Sequence, residues 1–288
     1  MRLRQSPICA MFAALVFSSL VVGSFETARA QQKTRPSASS SAAQGSVIFA
    51  VTRHSDAAYE FEPIAFYGRG VFKGAIAGDS SAAELTRFAN SYYKAGQRYR
   101  LIWGGAEAGT VVAKQSQKAT DCSKAAATAD VQTSIQLGGN RMALAINSPT
   151  LGLAKSSRRA PTDEERAQVK TQVERIFREK GVPAAALDKL KTINLTATDL
   201  NNDGAAELIG TYMIKREGTE IFIDQLFVLA EPTAGGVKIG VARHEQLKGM
   251  DFTDPESLES VGESAFQTEI LIDQLDVDGD GTGEVFTI

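Results

Sequence analysis

Two nine-residue segments near the carboxy-terminal end of the chain share the pattern D-x-[DN]-x-D-G-x-x-E, at an offset of 77 residues. The first runs from Asp199 to Glu207 and the second from Asp276 to Glu284. The stretches around them, TINLTAT, ELIGTYMIK, TEILIDQL and EVFTI, are rich in β-branched and aromatic residues, which is typical of strands. The pattern therefore predicts two β-hairpins, each closed by an acidic loop.

The spacing of the acidic residues suits a hard cation. Side chains at the first, third and fifth positions of a curled loop can point to one centre, and glycine at the sixth position adopts backbone angles closed to other residues. A backbone carbonyl at the seventh position, from Ala205 or Thr282, and a carboxylate at the ninth can add further ligands. Calcium takes six to eight oxygen ligands at about 2.3–2.6 Å in a flexible shell. We therefore expect one Ca²⁺ ion in each loop.

The EF-hand loop begins in the same way, but it needs a bidentate Glu at position twelve and a helix on each side. Position twelve is Gly210 in the first loop and Thr287 in the second, and the flanking segments favour strands, so the EF-hand is excluded. The arrangement instead resembles the calcium loops of FG-GAP and VCBS-type repeats, as in integrin-like β-propellers. Two copies are too few for a complete propeller, in which each blade contributes its own repeat.

That resemblance implies a ligand set for each ion. The first ion would be bound by Asp199, Asn201, Asp203 and Glu207. The second ion would be bound by Asp276, Asp278, Asp280 and Glu284. Because Asn201 is uncharged, we expect the first site to be weaker. The alternative is a pair of ion-free turns, which Asn and Asp favour through side-chain bonds to the backbone.

Charge is distributed unevenly along the chain. Residues 31–191 contain 23 basic and 14 acidic residues, whereas residues 192–288 contain 5 basic and 19 acidic residues. Bound cations could neutralise the acidic part, or the two halves could attract one another. The formal net charge of −3 excludes a uniformly basic nucleic-acid-binding protein, and we expect no nucleic-acid partner.

The amino terminus predicts export. Residues 1–30 combine an arginine-containing start, an apolar run and the small-x-small pattern Ala28-Arg29-Ala30, which together are typical of a cleaved signal peptide. We expect a periplasmic or extracellular protein with no transmembrane segment after signal removal. Residues 31–45 favour a flexible Ser/Ala-rich spacer. Cys122 would be the one cysteine left in the mature chain, and its polar surroundings favour a bystander over a nucleophile.

The predicted fold class is mainly β, a β-rich α+β protein. Residues 46–153 would form a small β-rich domain, residues 154–191 a linker and an amphipathic helix, and residues 192–288 an acidic antiparallel β module that contains both calcium-loop hairpins. This module would resemble propeller blades without forming a complete propeller.

Local patterns predict several elements. The segment 80–93 favours a short helix. Gly104-Gly105 predicts a turn between two strands, and a further hairpin is expected around 138–140, between VQTSIQLGG and RMALAINS. A capping box of Thr162 and Glu165 predicts a helix start, and an apolar face follows it. That face comprises Val169, Val173, Ile176 and Phe177.

Two hypotheses of different class remain open. The first is an exported, non-catalytic, calcium-binding protein with an adhesion or ligand-binding role, whose partner would be an unidentified protein or carbohydrate. The second is a secreted hydrolase that uses calcium only as scaffold. The carboxylate pair Glu60 and Glu62 is its weak candidate, because residues two apart on one strand are most simply neighbours on a solvated face. Trp103, the only tryptophan, is most simply a core or hairpin residue.

Overall fold

The computed structural model describes residues 45–53, 58–76, 80–117, 125–137, 142–152, 155–216, 222–248 and 269–287 of the chain. The expected signal peptide, the spacer up to residue 44 and Cys122 lie outside these described residues, as does the turn expected around 138–140. Among the described helices, none combines the length and the apolar character that crossing a membrane requires.

The first part of the chain forms a sheet that closes on itself. Its elements are β1 (Ser46–Thr52), β2 (Tyr59–Gly68), β3 (Val71–Lys73), α1 (Ala82–Tyr92), β4 (Arg98–Trp103), β5 (Ala106–Ser116), β6 (Ala127–Gln132) and β7 (Ala143–Ile146). The strand order is β1-β7-β4-β5-β6-β2, and β1 also pairs with β2. Six antiparallel strands therefore form a barrel-like ring, and β3 extends β2 beyond it.

Aromatic side chains fill the interior of this ring. Successive residues of a strand point to opposite faces, so Phe49 and Phe61 point inward while their neighbours point outward. The Phe49 ring lies 5.2 Å from that of Phe61 and 5.1 Å from that of Tyr99, between ring centroids. Phe88 and Tyr92 of α1 pack against the same cluster. The ring is therefore a packed core.

The linking helix α2 (Asp163–Glu179) begins as its sequence predicts. Thr162 and Glu165 form the capping box, and a short 3₁₀ helix (Ala184–Lys189) follows. The four apolar residues of the predicted face are all buried: Val169, Val173, Ile176 and Phe177. These contacts confirm the predicted amphipathic helix.

Helix α2 packs on one face of a second sheet. Its strands are β8 (Lys191–Thr198), β9 (Glu207–Arg216), β10 (Phe222–Thr233) and β11 (Gly236–Lys248). They are antiparallel and follow one another in the order β11-β10-β9-β8, so that β8 is an edge strand. Tyr212, Leu226 and Val228 belong to the buried cluster beneath α2.

The last hairpin lies between the other two units. It consists of β12 (Leu271–Leu275) and β13 (Glu284–Thr287), which pair antiparallel. Ile272, Leu275 and Phe286 pack on the outer face of the barrel-like ring. On the other side of the hairpin, Leu271 packs with Ile209 and Phe227 of the second sheet. These two residues lie on the face of that sheet opposite α2. The hairpin therefore packs against both units, with a separate apolar cluster on each side.

A buried ion pair connects these parts. The fully buried Asp273 carboxylate accepts hydrogen bonds from the Gly104 N–H at 2.9 and 3.0 Å and lies 3.5 Å from the Arg158 guanidinium. Arg158 also donates to the Ile272 carbonyl at 2.6 Å and lies 3.9 Å above the Trp103 ring. The linker, the barrel-like ring and the last hairpin therefore meet at one carboxylate.

The mainly β fold class is confirmed, and the Gly104-Gly105 turn joins β4 to β5 as predicted. The predicted pairing of VQTSIQLGG with RMALAINS is wrong. Strand β7 pairs with β1 and β4, whereas β6 pairs with β5 and β2. The physical reason is ring closure, because β7 takes the place between β1 and β4 that completes the barrel-like sheet.

Arg158→Met tests the buried ion pair. Methionine keeps apolar contact with Trp103 but leaves the Asp273 carboxylate without its cation, so we expect the free energy of unfolding to fall by about 3 kcal/mol near pH ~8. Burial raises the pKa of Asp273 to about 6 although Arg158 lowers it, so the folded state binds this proton more tightly than the unfolded chain. This tighter proton binding adds to the free energy of unfolding at low pH. The contribution is lost as pH rises through the pKa that Asp273 has in the folded state.

Removing Arg158 raises the pKa of Asp273 further, so the carboxyl group of the folded variant is protonated near pH ~5. The difference in the free energy of unfolding between the variant and the original chain should therefore be smaller at that pH than near pH ~8. Urea unfolding of both chains at the two pH values measures this. Arg159→Met is the matched control, because it removes the ion pair with Glu165, in which the Arg159 side chain is 44% exposed. It should lower the free energy of unfolding by no more than about 1 kcal/mol. A deficit that is the same at both pH values would contradict the assignment to Asp273.

Candidate metal centre

Each acidic segment is the connection of a hairpin. The first acidic loop, residues 199–207, joins β8 to β9, and the second acidic loop, residues 276–284, joins β12 to β13. Both strand pairs are antiparallel, as the flanking sequences predict.

In the first acidic loop, the side chains of the first and ninth positions bind the loop backbone. One Asp199 oxygen accepts the Gly204 N–H at 2.9 Å, and one Glu207 oxygen accepts the Leu200 N–H at 2.7 Å. Asn201 and Asp203, at the third and fifth positions, each accept the N–H two residues further on.

The second acidic loop repeats these contacts. Asp276 accepts the Gly281 N–H at 3.0 Å, and Glu284 accepts the Val277 N–H at 2.9 Å. At the third position, the Asp278 carboxylate accepts the Asp280 N–H, and at the fifth position the Asp280 carboxylate accepts the Thr282 N–H. The two segments therefore share a conformation as well as a sequence pattern. Ala205 and Thr282 both occupy the seventh position, with their N–H groups bound to the fifth-position carboxylates.

Positive backbone φ angles explain the glycines. At the sixth position φ is 89° at Gly204 and 95° at Gly281. The fourth position is also left-handed, at Asn202 (59°) and Gly279 (78°). Residues other than Gly, Asn and Asp rarely adopt these backbone angles, which accounts for the residue types at both positions.

The acidic side chains converge most closely in the second acidic loop. Asp276, Asp278 and Asp280 each offer an oxygen, and these oxygens lie within 4.8 Å of one another. In the first acidic loop, Asn201 takes the place of the middle carboxylate and its amide donates to Asp203 at 3.1 Å. The first loop thus carries one charge fewer at the same three positions.

The ninth-position carboxylates are partly or almost fully shielded from water, Glu284 being half-buried and Glu207 buried. Burial raises the pKa of Glu284 to about 7, the Val277 N–H lowers it, and the Asp278 and Asp276 carboxylates raise it. Burial also raises the pKa of Glu207, whose side chain is almost fully buried. In the described part of the chain, no ion pair joins a carboxylate of either loop to a Lys or Arg. Their mutual repulsion is therefore not relieved by basic side chains there.

The two loops lie side by side, which the sequence did not predict. The Asn202 amide donates to the Gly281 carbonyl at 2.8 Å, and the Gly283 N–H donates to the Leu200 carbonyl at 2.6 Å. Gln274 reaches from β12 to the Asp199 carbonyl at 3.4 Å. Asn202 and Gln274 are thus contact residues that the motif missed, since neither occupies a ligand position and no local pattern marks a contact 70 or more residues away.

The hydrolase candidates lie elsewhere. Glu60 and Glu62 alternate with the inward-pointing Phe61 along β2, so both lie on the outer face of the barrel-like ring. The Gln117 amide donates to Glu60 at 2.8 Å.

Comparison of the chain with protein-family models, with curated proteins and with solved structures finds no match. The resemblance to FG-GAP and VCBS-type calcium loops therefore stays a prediction that rests on the two acidic loops alone.

Gly281→Ala tests the left-handed backbone conformation at the sixth position of the second acidic loop. The added Cβ meets no atom within 4 Å, so its effect comes from the backbone strain at φ 95°. We expect a loss of about 1–3 kcal/mol in the free energy of unfolding, measured by urea denaturation in EDTA. Gly235→Ala is the matched control, because Gly235 also has open space around it but has no positive φ. Equal effects of the two substitutions would contradict the left-handed turn.

Proposed function

We propose that the protein is an exported, non-catalytic, β-rich protein whose two acidic loops each bind a Ca²⁺ ion. The observation that carries this proposal is the group of three carboxylates, Asp276, Asp278 and Asp280, with oxygens within 4.8 Å of one another. The second support is that the first acidic loop repeats the same backbone contacts.

The donor set favours calcium over other metals. All side-chain donors of the two loops are oxygens, which hard cations prefer, and neither loop contains histidine or cysteine. Magnesium demands near-ideal octahedral geometry, whereas calcium accepts the mixed carboxylate, amide and carbonyl shell that a short hairpin loop offers. Asn201 supplies a neutral oxygen in the first acidic loop, so the second site is the tighter one in this proposal.

Charge supports the same conclusion. The loop carboxylates have no basic partner among the described residues, and burial already disfavours the charged forms of Glu207 and Glu284. A divalent cation would remove this repulsion and stabilise the ionised forms. Two bound ions would offset four of the 14 excess negative charges of residues 192–288, at the loops where the carboxylates are closest together.

The proposed role is structural support for an interaction module. The acidic loops contact each other and lie in hairpins that pack on different units, so ions in them would stiffen the junction between the second sheet and the last hairpin. Extracellular calcium modules work with dissociation constants of about 10⁻⁴–10⁻³ M, which fits the export that residues 1–30 predict. The adhesion or ligand-binding role follows from the resemblance to FG-GAP and VCBS-type repeats.

Calcium should raise the thermal stability of the chain from residue 31 onward. At a concentration about 100-fold above the dissociation constant of the second site, linkage gives about 2.7 kcal/mol for that site, which corresponds to a rise of roughly 5–10 °C in Tm over the value in EDTA, and the weaker first site adds a smaller amount. Asp280→Ala should abolish most of this rise and Asp203→Ala a smaller part, because the first site carries less charge. Differential scanning calorimetry measures each Tm.

Asp188→Ala is the matched control, since Asp188 is an exposed aspartate of the 3₁₀ helix, away from both loops. It should respond to calcium as the unmodified chain does, and magnesium at the same concentration should have a smaller effect. If calcium leaves Tm unchanged and titration calorimetry detects no binding, the loops are ion-free turns and the proposal is wrong.

A further inference from the structure

The two acidic loops contact each other around Thr282, the seventh position of the second acidic loop. The Gly281 carbonyl, on one side of Thr282, accepts the Asn202 amide at 2.8 Å. The Gly283 N–H, on the other side, donates to the Leu200 carbonyl at 2.6 Å. The first acidic loop therefore holds both peptide groups that flank Thr282.

Each of these two peptide groups also serves the second acidic loop at its other end. The Thr282 N–H belongs to the first group and donates to the Asp280 carboxylate at 2.7 Å. The Thr282 carbonyl belongs to the second group and is the seventh-position ligand expected from the sequence. A peptide group that is polarised at one end forms a stronger hydrogen bond at the other. An ion on the Thr282 carbonyl would therefore strengthen the hydrogen bond from Gly283 to Leu200.

The contact residues of the first acidic loop lie between its own ligand positions. Leu200 follows Asp199, and Asn202 stands between Asn201 and Asp203. An ion that fixes these ligands also fixes the two groups that reach the second acidic loop. Because ordering a segment costs conformational entropy, a loop that its neighbour has already ordered loses less on binding its own ion.

A buried side chain joins the bases of the two loops. Gln274 is fully buried, and its amide donates to the Thr198 hydroxyl at 3.3 Å and to the Asp199 carbonyl at 3.4 Å. A Cβ added at Gly283 would lie 1.8 Å from Gln274 Oε1, so this side chain packs directly against the second acidic loop. The loops are therefore joined at their bases as well as around Thr282.

Charge acts against coupling between the loops. The first acidic loop has three carboxylates and the second has four, so one Ca²⁺ ion leaves either loop with a net negative charge. An occupied loop still attracts a cation, although less strongly than an empty one. Salt screens this difference, because the Debye length is about 8 Å at about 0.15 M ionic strength. We therefore expect the contacts between the loops to outweigh it at that ionic strength.

We propose that the two acidic loops bind Ca²⁺ with positive cooperativity, because the first loop holds the seventh position of the second through Asn202 and Leu200. This inference rests on the proposed function, in which each loop binds one ion. The tighter second site fills first and orders the contact residues, and the first site then binds its ion with higher affinity. Linkage is reciprocal, so an ion in the first loop raises the affinity of the second site by the same factor.

Three calcium titrations measure the coupling factor. Titration calorimetry of the full chain at about 0.15 M KCl gives the product of the two association constants. Asp203→Ala disables the first site and gives the constant of the second alone, and Asp280→Ala gives that of the first alone. The coupling factor is the product for the full chain divided by the product of the two single-site constants. We expect a factor of at least about 5, at the lower end of typical coupling between sites.

Asn202→Gly removes one contact between the loops and keeps the loop conformation. Glycine adopts the φ of 59° found at Asn202 without strain, and Gly279 already occupies the same position of the second acidic loop. Repeating the three titrations with Asn202→Gly in each chain should lower the coupling factor to less than about half. The aspartate substitutions are common to both sets, so their own effect on charge cancels.

Asn90→Gly is the matched control, because it removes the same amide from an exposed position of α1. Glycine weakens a helix, so this variant also shows whether a loss of stability alone alters the coupling. It should leave the coupling factor unchanged.

The outcomes separate this inference from the proposed function. If the full chain binds no calcium, the proposed function is wrong and cooperativity is excluded with it. If two ions bind but the coupling factor is one or less, the proposed function stands and positive cooperativity is wrong. A coupling factor that is the same with and without Asn202→Gly would contradict the assignment to the contacts around Thr282.

Discussion

The Asp273 carboxylate is the interaction on which the arrangement of the three parts depends. It is fully buried, and it is held by the Gly104 N–H of the β4–β5 turn and by Arg158 of the linker. Two buried charges are costly to remove from water, and the pair is tolerable only because its hydrogen bonds are satisfied. The hydrogen bonds of Asp273 are satisfied when β12 brings it to that turn, and the apolar clusters on both sides of the last hairpin form in the same geometry.

This geometry also determines where the acidic loops lie. Because β12 is held against the barrel-like ring, the loop that follows it is directed toward the loop between β8 and β9. Gln274, the neighbour of Asp273, extends from the same strand to the Thr198 hydroxyl and the Asp199 carbonyl. Asp273 of the buried ion pair and the second acidic loop are thus consecutive parts of one short hairpin, and an ion that ordered this loop would act on the junction of all three units.

Local features were predictable from the sequence, and long-range ones were not. The capping box of α2 and the two curled loops depend on residues within one turn or nine positions of each other, so spacing alone predicts their form. The place of β7 beside β1 depends on contacts such as Ile48 with Ile146, which no local pattern records. Asp273 carried no signal either, because a single acid in the strand-like segment TEILIDQL looks the same whether it is buried or exposed.

The basic and acidic parts of the chain offset each other's charge at few points. Arg158 and Asp273 form an ion pair between the basic and acidic parts, but it lies in the interior, where it compensates a single acid. The carboxylates of the acidic loops have no such partner among the described residues, and the loop backbone satisfies only some of their oxygens. Basic side chains of the described residues therefore do not offset the charge of the loops, whereas an ion in each loop would offset two negative charges at the point where they are concentrated.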